Sequence, residues 1–437
     1  MDRWANIFVR WMPDAFAVAL VLTLLTVACA VGVAGYPLEA TVQAWGDGFW
    51  NLLKFTNQIT LTLLLGYALA NTPPVERLLH MTARRVRSAP SAYMTACGVT
   101  GVLALISWGL SLVSAGIVAR VIAKACRERG IKVHYPLLVA SSFSGFVIWH
   151  QGLTSSVGLA IATPDHFLSE LIGTIPTSAT LFTTWNILLA LGVLCTLPFV
   201  MARLHPRDAE KISEIEIDDE GAADAPEAVE VLTPARRLDQ SRWLILPFLI
   251  MAIFYLAAHF FVRGEGLELN ILNFAFLFGG IALAGSAARY AEIILNGGRV
   301  AAPFLLQYPF YAGIAGIMAE SGLAARIIEF FVSVSTAATL PLYAFLSAGL
   351  LNIFIPSGGG QWAVQGPLMM AAATEAGADI PRVAMAVALG DQWTNLIQPL
   401  TLMPVLAIAQ LAPRDILAYT FVALLFTGAV FSGALLL

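Results

Sequence analysis

Ile355-Pro356-Ser357-Gly358-Gly359-Gly360-Gln361-Trp362 interrupts an otherwise apolar stretch, 340–355 on one side and 362–374 on the other. A glycine run ordinarily marks a tight turn at a surface. Here each apolar arm runs about 15 residues, roughly 20 Å at 1.5 Å per residue, so the turn falls at depth. Hydrocarbon offers no hydrogen-bond partners, and irregular backbone persists there only inside protein or along a wet cavity. The stretch reads as the tip of a re-entrant helical hairpin over about 340–376. Ser357, Gly358, Gly359, Gly360, Gln361 and Trp362 become candidates to line a substrate site.

The composition supports a membrane setting. Of 437 residues, 58% are hydrophobic and 12% charged, with a mean hydropathy of +0.78. One soluble core cannot hide that much apolar surface, and the excess must face lipid. Runs such as 13–35 and 241–262 are long enough to span. The first lacks the short apolar core and small-residue cleavage site of a secretory signal, and reads as a first helix. Cys29, Cys97, Cys126 and Cys195 are scattered without CxxC spacing, implying neither disulfide nor metal.

Polarity concentrates between 205 and 240, where Pro206, Pro226 and Pro234 break the chain and acids dominate. This is an acidic cytoplasmic linker between membrane halves, 1–204 and 269–437, with an extra linking helix over 241–268. In the first half, 36–47 reads as a turn and 49–70 as the returning span. Segment 91–129 is interrupted at Ser107-Trp108-Gly109-Leu110-Ser111, and a straight crossing would put its basic end opposite the Arg77–Arg87 cluster. A second re-entrant hairpin keeps both clusters on the cytoplasmic side. Segment 136–163 carries a polar, glycine-rich middle, Ser144-Gly145 to Ser155, and 381–410 carries Gly390-Asp391 to Pro399. Both read as broken helices.

The two halves match at fixed offsets. Adding 249 places Ser107 on Pro356 and Gly109 on Gly358, and adding 245 places Pro136 on Pro381, Gly145 on Gly390 and His150 on Asn395. With an extra helix between them, the copies insert in opposite senses, the pattern of inverted-repeat transporters. The expected fold is an all-α polytopic membrane protein of two inverted-topology repeats, each with a re-entrant hairpin and a broken helix. Opposed half-helix N-termini attract an anion, while C-terminal ends and unwound carbonyls suit a cation. A carboxylate could therefore be held without an arginine in any of the four breaks.

Ser107, Gly109, Ser111, Ser144, Gly145, His150, Thr154, Thr394 and Asn395 join the candidate substrate site; the serines have helix packing as their rival role. Asp391 is the only acid in the breaks, and with Asn395 and Gln398 it is the candidate to hold a coupling ion, H+ or Na+. The alternatives are an interfacial cap or a structural pair. His150 beside Trp149 is either a proton relay or a structural hydrogen-bonder. No nucleophile elbow, phosphate loop or metal-ligand spacing occurs, which disfavours an enzyme or direct ATP drive.

At Trp45-Gly46-Asp47-Gly48-Phe49-Trp50, Ile355–Trp362 and Gly390-Asp391-Gln392-Trp393-Thr394-Asn395 the chain resembles the bacterial short-chain fatty acid transporters, of the acetoacetate and butyrate uptake type. The likeness extends along nearly the whole chain. It implies uptake of small monocarboxylates across the bacterial cytoplasmic membrane within the ion transporter superfamily, whose better-known members use an elevator motion, sodium coupling and dimeric scaffolds. Relatives carry a glycine-rich stretch where this chain has His150-Gln151-Gly152, which re-tunes the pocket. The expected partners are a small carboxylate, the lipid bilayer and a second copy in a homodimer, without nucleic acid or cofactor. A dicarboxylate carrier shares the architecture; a channel or a membrane enzyme are the rivals of another class.

Overall fold

The computed structural model describes residues 15–215, 233–355 and 357–437. The N-terminus, the middle of the acidic linker and Pro356 lie outside the described residues. Among those described, every regular element is helical. The first half runs α1 (Ala15–Gly32), α2 (Leu38–Gly48), α3 (Leu53–Ala70), α4 (Pro73–Thr82), α5 (Ala89–Ile106), α6 (Trp108–Glu128), α7 (Tyr135–Ser144), a 3-10 stretch (Gly145–Gln151), α8 (Ser156–Ala162) and α9 (Thr184–Ala202). After the linker come α10 (Arg242–Ala257), α11 (Leu269–Ala284), α12 (Ala287–Glu320), α13 (Leu323–Val334), α14 (Leu340–Asn352), α15 (Gly358–Ala376), α16 (Ile380–Thr394), a 3-10 turn (Asn395–Ile397), α17 (Pro399–Ala409) and α18 (Pro413–Leu436).

Five of the described helical segments are long and apolar enough to cross a membrane, Ala89–Ile106, Trp108–Glu128, Thr184–Ala202, Pro234–Val262 and Pro413–Leu436. The surface agrees: Trp243 at 80%, Phe254 at 72% and Phe261 at 88% exposure leave the α10 segment with no solvent it could tolerate except lipid.

Each chain break is built from local capping chemistry. Ser107 ends α5 and begins α6 with an extended backbone (φ −157°, ψ 128°), its hydroxyl accepting from the Leu110 N–H at 3.4 Å. Ser357 does the same for α15 (φ −153°, ψ 112°), accepting from Gly360 at 3.3 Å. These two serines are therefore equivalent at an offset of 250, one more than the sequence alignment of Ser107 with Pro356. In α7 the helix gives way to a 3-10 stretch with Ile148 off helical geometry, and resumes when Ser155 caps Gly158 at 3.1 Å. In α16 it gives way at Asn395 and resumes when Gln398 accepts from Thr401 at 3.0 Å, just before Pro399.

One segment differs from expectation. Most of 36–47, read as a turn, lies in helix α2 (Leu38–Gly48), which packs on α12. Small residues explain the pairing: Gly48 lies against Ala312 and Gly316, Gly313 against Trp45, and Gly316 against Ala44, so α2 and α12 approach closely. α12 bends by 47° between Ala287–Arg299 and Ala301–Glu320. Pro303 removes the N–H that would bond to the carbonyl of residue 299, which accounts for the bend. With α2 included, α2 to α7 and α12 to α16 follow the same order. Gly145 presses on Cys97, Thr100 and Gly101 of α5, as Gly390 presses on Phe345, Ala348 and Gly349 of α14.

Candidate functional site

Both hairpin tips and both helix breaks meet at one small cavity. Its volume is about 50 Å³, and its lining takes Trp108 from the first tip, Ser357, Gly358 and Gly359 from the second, Phe146 and Trp149 from the first break, and Asn395 from the second. Ile59, Leu112, Ser156, Phe304, Tyr308 and Thr401 complete it. No Lys, Arg, Asp or Glu lines it among the described residues. Part of the lining is aromatic and an adjoining part is polar: the Tyr308 hydroxyl meets the Ser357 hydroxyl at 3.0 Å, and Gly358 and Gly359 open α15 with N–H groups that helix geometry leaves without partners. A larger groove of about 580 Å³, lined by Leu61, Leu244, Phe248, Leu277, Phe278 and Ile294, holds almost no polar surface. It lies among the apolar faces of α3, α10, α11 and α12, takes no lining residue from the four breaks, and suits lipid tails.

Behind the tip lies a buried polar hub. Asp391 is 1% exposed and His150 0%. The His150 Nε2 lies 3.1 Å from Asp391 Oδ2, and its Nδ1 lies 3.1 Å from the Ser155 hydroxyl. The Asn352 amide donates to Asp391 Oδ1. The Asn352 carbonyl oxygen in turn accepts from Asn395 at 3.0 Å and Thr394 at 3.1 Å, while Asn395 Oδ1 accepts from the Trp149 indole at 3.0 Å. The interrupted backbone is also satisfied by side chains, in one case across the halves. His150 N–H donates to Gln392 Oε1 at 2.8 Å, Trp108 N–H to Thr154 Oγ1 at 2.9 Å, and the Asn186 amide to the Gln151 carbonyl at 3.1 Å. Buried backbone that leaves the helical ladder needs such partners.

The expected residues sort accordingly. Ser357, Gly358, Gly359 and Asn395 line the cavity, with His150, Asp391 and Thr394 directly behind and Thr154 tying the first tip to the first break. Gly360 packs on Tyr311, and Gln361 donates to the Ala348 carbonyl and to Gln365, both at 2.9 Å. Trp362 is fully buried, its indole N–H without a partner among the described residues. Ser107, Gly109, Ser111, Ser144 and Gly145 stand apart from the cavity. Ser107 caps α6, Gly109 lies close to Leu63 and Tyr67, Ser111 donates to the Thr100 carbonyl at 2.8 Å, and Ser144 donates to Ala140 at 2.7 Å. Asp391, Asn395 and Gln398 share no oxygen cage: each oxygen of the first two already faces a donor, and Gln398 caps α17.

Sequence reasoning missed Asn352, the centre of the hub, and Tyr308. Each is a polar group inside an apolar helix, the same signal that singled out Asp391. Trp108 lines the cavity, whereas Trp393 donates its indole N–H to the Leu424 carbonyl at 2.7 Å and packs on Phe345. Trp149, given no role in the sequence reading, lines the cavity and stacks on His150 with centroids 3.5 Å apart.

Comparison with known proteins places this geometry in context. The family described as short chain fatty acid transporter matches residues 2–437. A protein of Escherichia coli strain K12, named provisionally as a short-chain fatty acid transporter, is 37% identical over 99% of this chain and 98% of its own length. A relative of Haemophilus influenzae carrying the same name is 35% identical over 99% and 98%. Among solved structures, the Alcanivorax borkumensis YdaH transporter superposes with a TM-score of 0.61 at 15% identity, covering 97% of this chain and 98% of that one. The Neisseria gonorrhoeae MtrF pump gives 0.61 at 15% over 99% and 97%. At that identity the likeness is one of fold.

Proposed function

The chain belongs to the short-chain fatty acid transporter family, and we propose that it carries short-chain monocarboxylates such as butyrate or acetoacetate across the bacterial cytoplasmic membrane by cation-coupled secondary transport. The observation that carries the reading is the cavity with one polar pole and an aromatic wall, met by both tips and both breaks. A carboxylate fits the pole, where the N–H groups of Gly358 and Gly359, the Ser357 and Tyr308 hydroxyls and the Asn395 amide converge. A short alkyl chain fits against Trp108, Phe146, Trp149 and Phe304. A second carboxylate would have to face this aromatic wall, where no cationic side chain lines the cavity among the described residues.

In this reading the hairpins 89–128 and 340–376 are re-entrant and the two halves are inverted repeats. The paired serine caps and the paired glycine contacts support it. The hairpins and broken helices move together as an elevator against α2, α3 and α12, and the exposed faces of the fixed part pair two copies. The linker lies on the cytoplasmic side, as the basic clusters suggest. Proteoliposomes holding the full chain, preloaded with unlabelled butyrate and given labelled butyrate outside, test the assignment: counterflow faster than in empty vesicles is expected. Counterflow equal to empty vesicles, with butyrate binding undetectable, would remove butyrate as substrate.

A further inference from the structure

We propose that the coupling ion is a proton, carried by the buried His150–Asp391 pair directly behind the Gly358 tip. The proposal rests on the transport reading above and deepens it. Its first support is the bonding pattern around Asp391. Both carboxylate oxygens face donors, the Asn352 amide and His150 Nε2. The neighbouring oxygens are used too, since Asn352 Oδ1 accepts twice and Asn395 Oδ1 accepts from Trp149. A Na+ ion requires several oxygens turned towards one point, whereas this cluster turns N–H groups towards the acid. It is arranged to balance a carboxylate with an imidazole.

Charge accounts for the coupling. With one proton shared, whether as imidazolium–carboxylate or imidazole–carboxylic acid, the pair is neutral. Without it the pair carries one negative charge in a desolvated setting. Gly358 joins that charge to the substrate pole, for a Cβ on Gly358 would stand 2.6 Å from His150 Nε2. A substrate carboxylate at the tip thus lies close to the pair and repels its deprotonated form, so each ligand favours the other. One proton and one carboxylate enter from outside and both leave inside, with no net charge moved.

Few other charges reach this depth. Besides His150, the elements packed around Asp391 contribute Asn352 from α14, Ser155 before α8 and the Tyr308 hydroxyl from α12. Glu375, Arg382, Arg414 and Asp415 sit in terminal turns of α15, α16 and α18, while Tyr343 and Tyr419 are the other titratable groups on α14 and α18.

The test is butyrate binding to the purified full chain between about pH 6 and pH 9, where butyrate stays ionised. Calorimetry in two buffers of different ionisation enthalpy counts the protons taken up, with Na+ and then with choline as the only added cation. Expected are uptake of about one proton per butyrate and an affinity that weakens as pH rises, by up to about tenfold per pH unit, the same in Na+ and choline. Asp391→Asn should abolish proton uptake and flatten the pH profile. Wild-type binding that needs Na+ and takes up no proton, or is flat with pH, overturns the proton while leaving the transport reading standing. Proton uptake that persists in Asp391→Asn overturns the assignment to this pair. Failure of wild type to bind butyrate at any pH removes butyrate as substrate and, with it, this inference about butyrate coupling.

Discussion

Gly358 is the residue at which both ligands of the proposed cycle meet, and its missing side chain is a structural requirement. Gly358→Ala would place a methyl group 2.6 Å from His150 Nε2 and 2.8 Å from the Trp149 ring. Overpacking of a buried site costs about 1–3 kcal/mol, so butyrate counterflow should fall roughly tenfold while the protein still folds, as gel filtration would check. Asn352 tests the hub differently. Asn352→Ala removes the donor to Asp391 Oδ1 and the acceptor for Asn395. Buried groups left without partners cost about 1–3 kcal/mol each, and the thermal unfolding midpoint in detergent should drop accordingly. An unchanged midpoint would show that water enters the hub. At this scale the sequence was half legible. Glycines, Asp391 and Asn395 stood out as polar or flexible groups in apolar surroundings. Ser107, Ser111 and Ser144 looked alike but bond within the helical framework. Whether a serine faces a cavity or a neighbouring carbonyl is decided by helix rotation and packing, which hydropathy does not record.

At the scale of elements, the two broken helices rest on their hairpins through one glycine each. A Cβ at Gly145 would collide with the Cys97 carbonyl and the Thr100 hydroxyl, and one at Gly390 with the Phe345 carbonyl. Backbone cannot yield as the end of a flexible side chain can, so Gly145→Ala and Gly390→Ala should each lower the unfolding midpoint by several degrees, and by similar amounts. Gly98, in α5 beside the first contact, has nothing within 4 Å of its Cβ position. Gly98→Ala should be neutral or stabilise by up to ~1 kcal/mol through helix propensity. A large drop at Gly98 with none at Gly145 would contradict the packing. These elements were legible because a break inside a long apolar run is visible as composition. Helix α2 was not, because its Gly46, Asp47 and Gly48 carry turn chemistry while its helicity depends on the face that Gly313 and Gly316 of α12 offer.

Across the whole molecule, the alternation of apolar runs and their interruptions could be read from composition, since a break inside an apolar run changes it. The docking of the linker could not, as polar segments carry no periodicity. Its first residues are pinned to the first half: the Tyr135 N–H donates to the Ser213 carbonyl at 2.7 Å, Arg127 to the Ile215 carbonyl at 2.6 Å, and the Ser213 N–H to His134 Nδ1 at 3.0 Å. The Tyr93 hydroxyl joins the His134 N–H and His205 Nδ1. Burial first, and then neighbouring His205, hold His134 below the usual imidazole range. Its neutral Nδ1 is the acceptor that the Ser213 bond requires. A lowered folded value means that a detached His134 binds a proton more readily than the docked one, so docking is fully stabilised above the free imidazole pKa of about 6.5 and weakens as pH falls below it. Hydrogen exchange of peptide 205–215, corrected for intrinsic rate, should therefore rise between about pH 7 and pH 5, and His134→Ala should show the raised exchange already at pH 7. Exchange that is independent of pH, with His134→Ala unchanged, would mean that Arg127 and Tyr135 hold the linker without the imidazole.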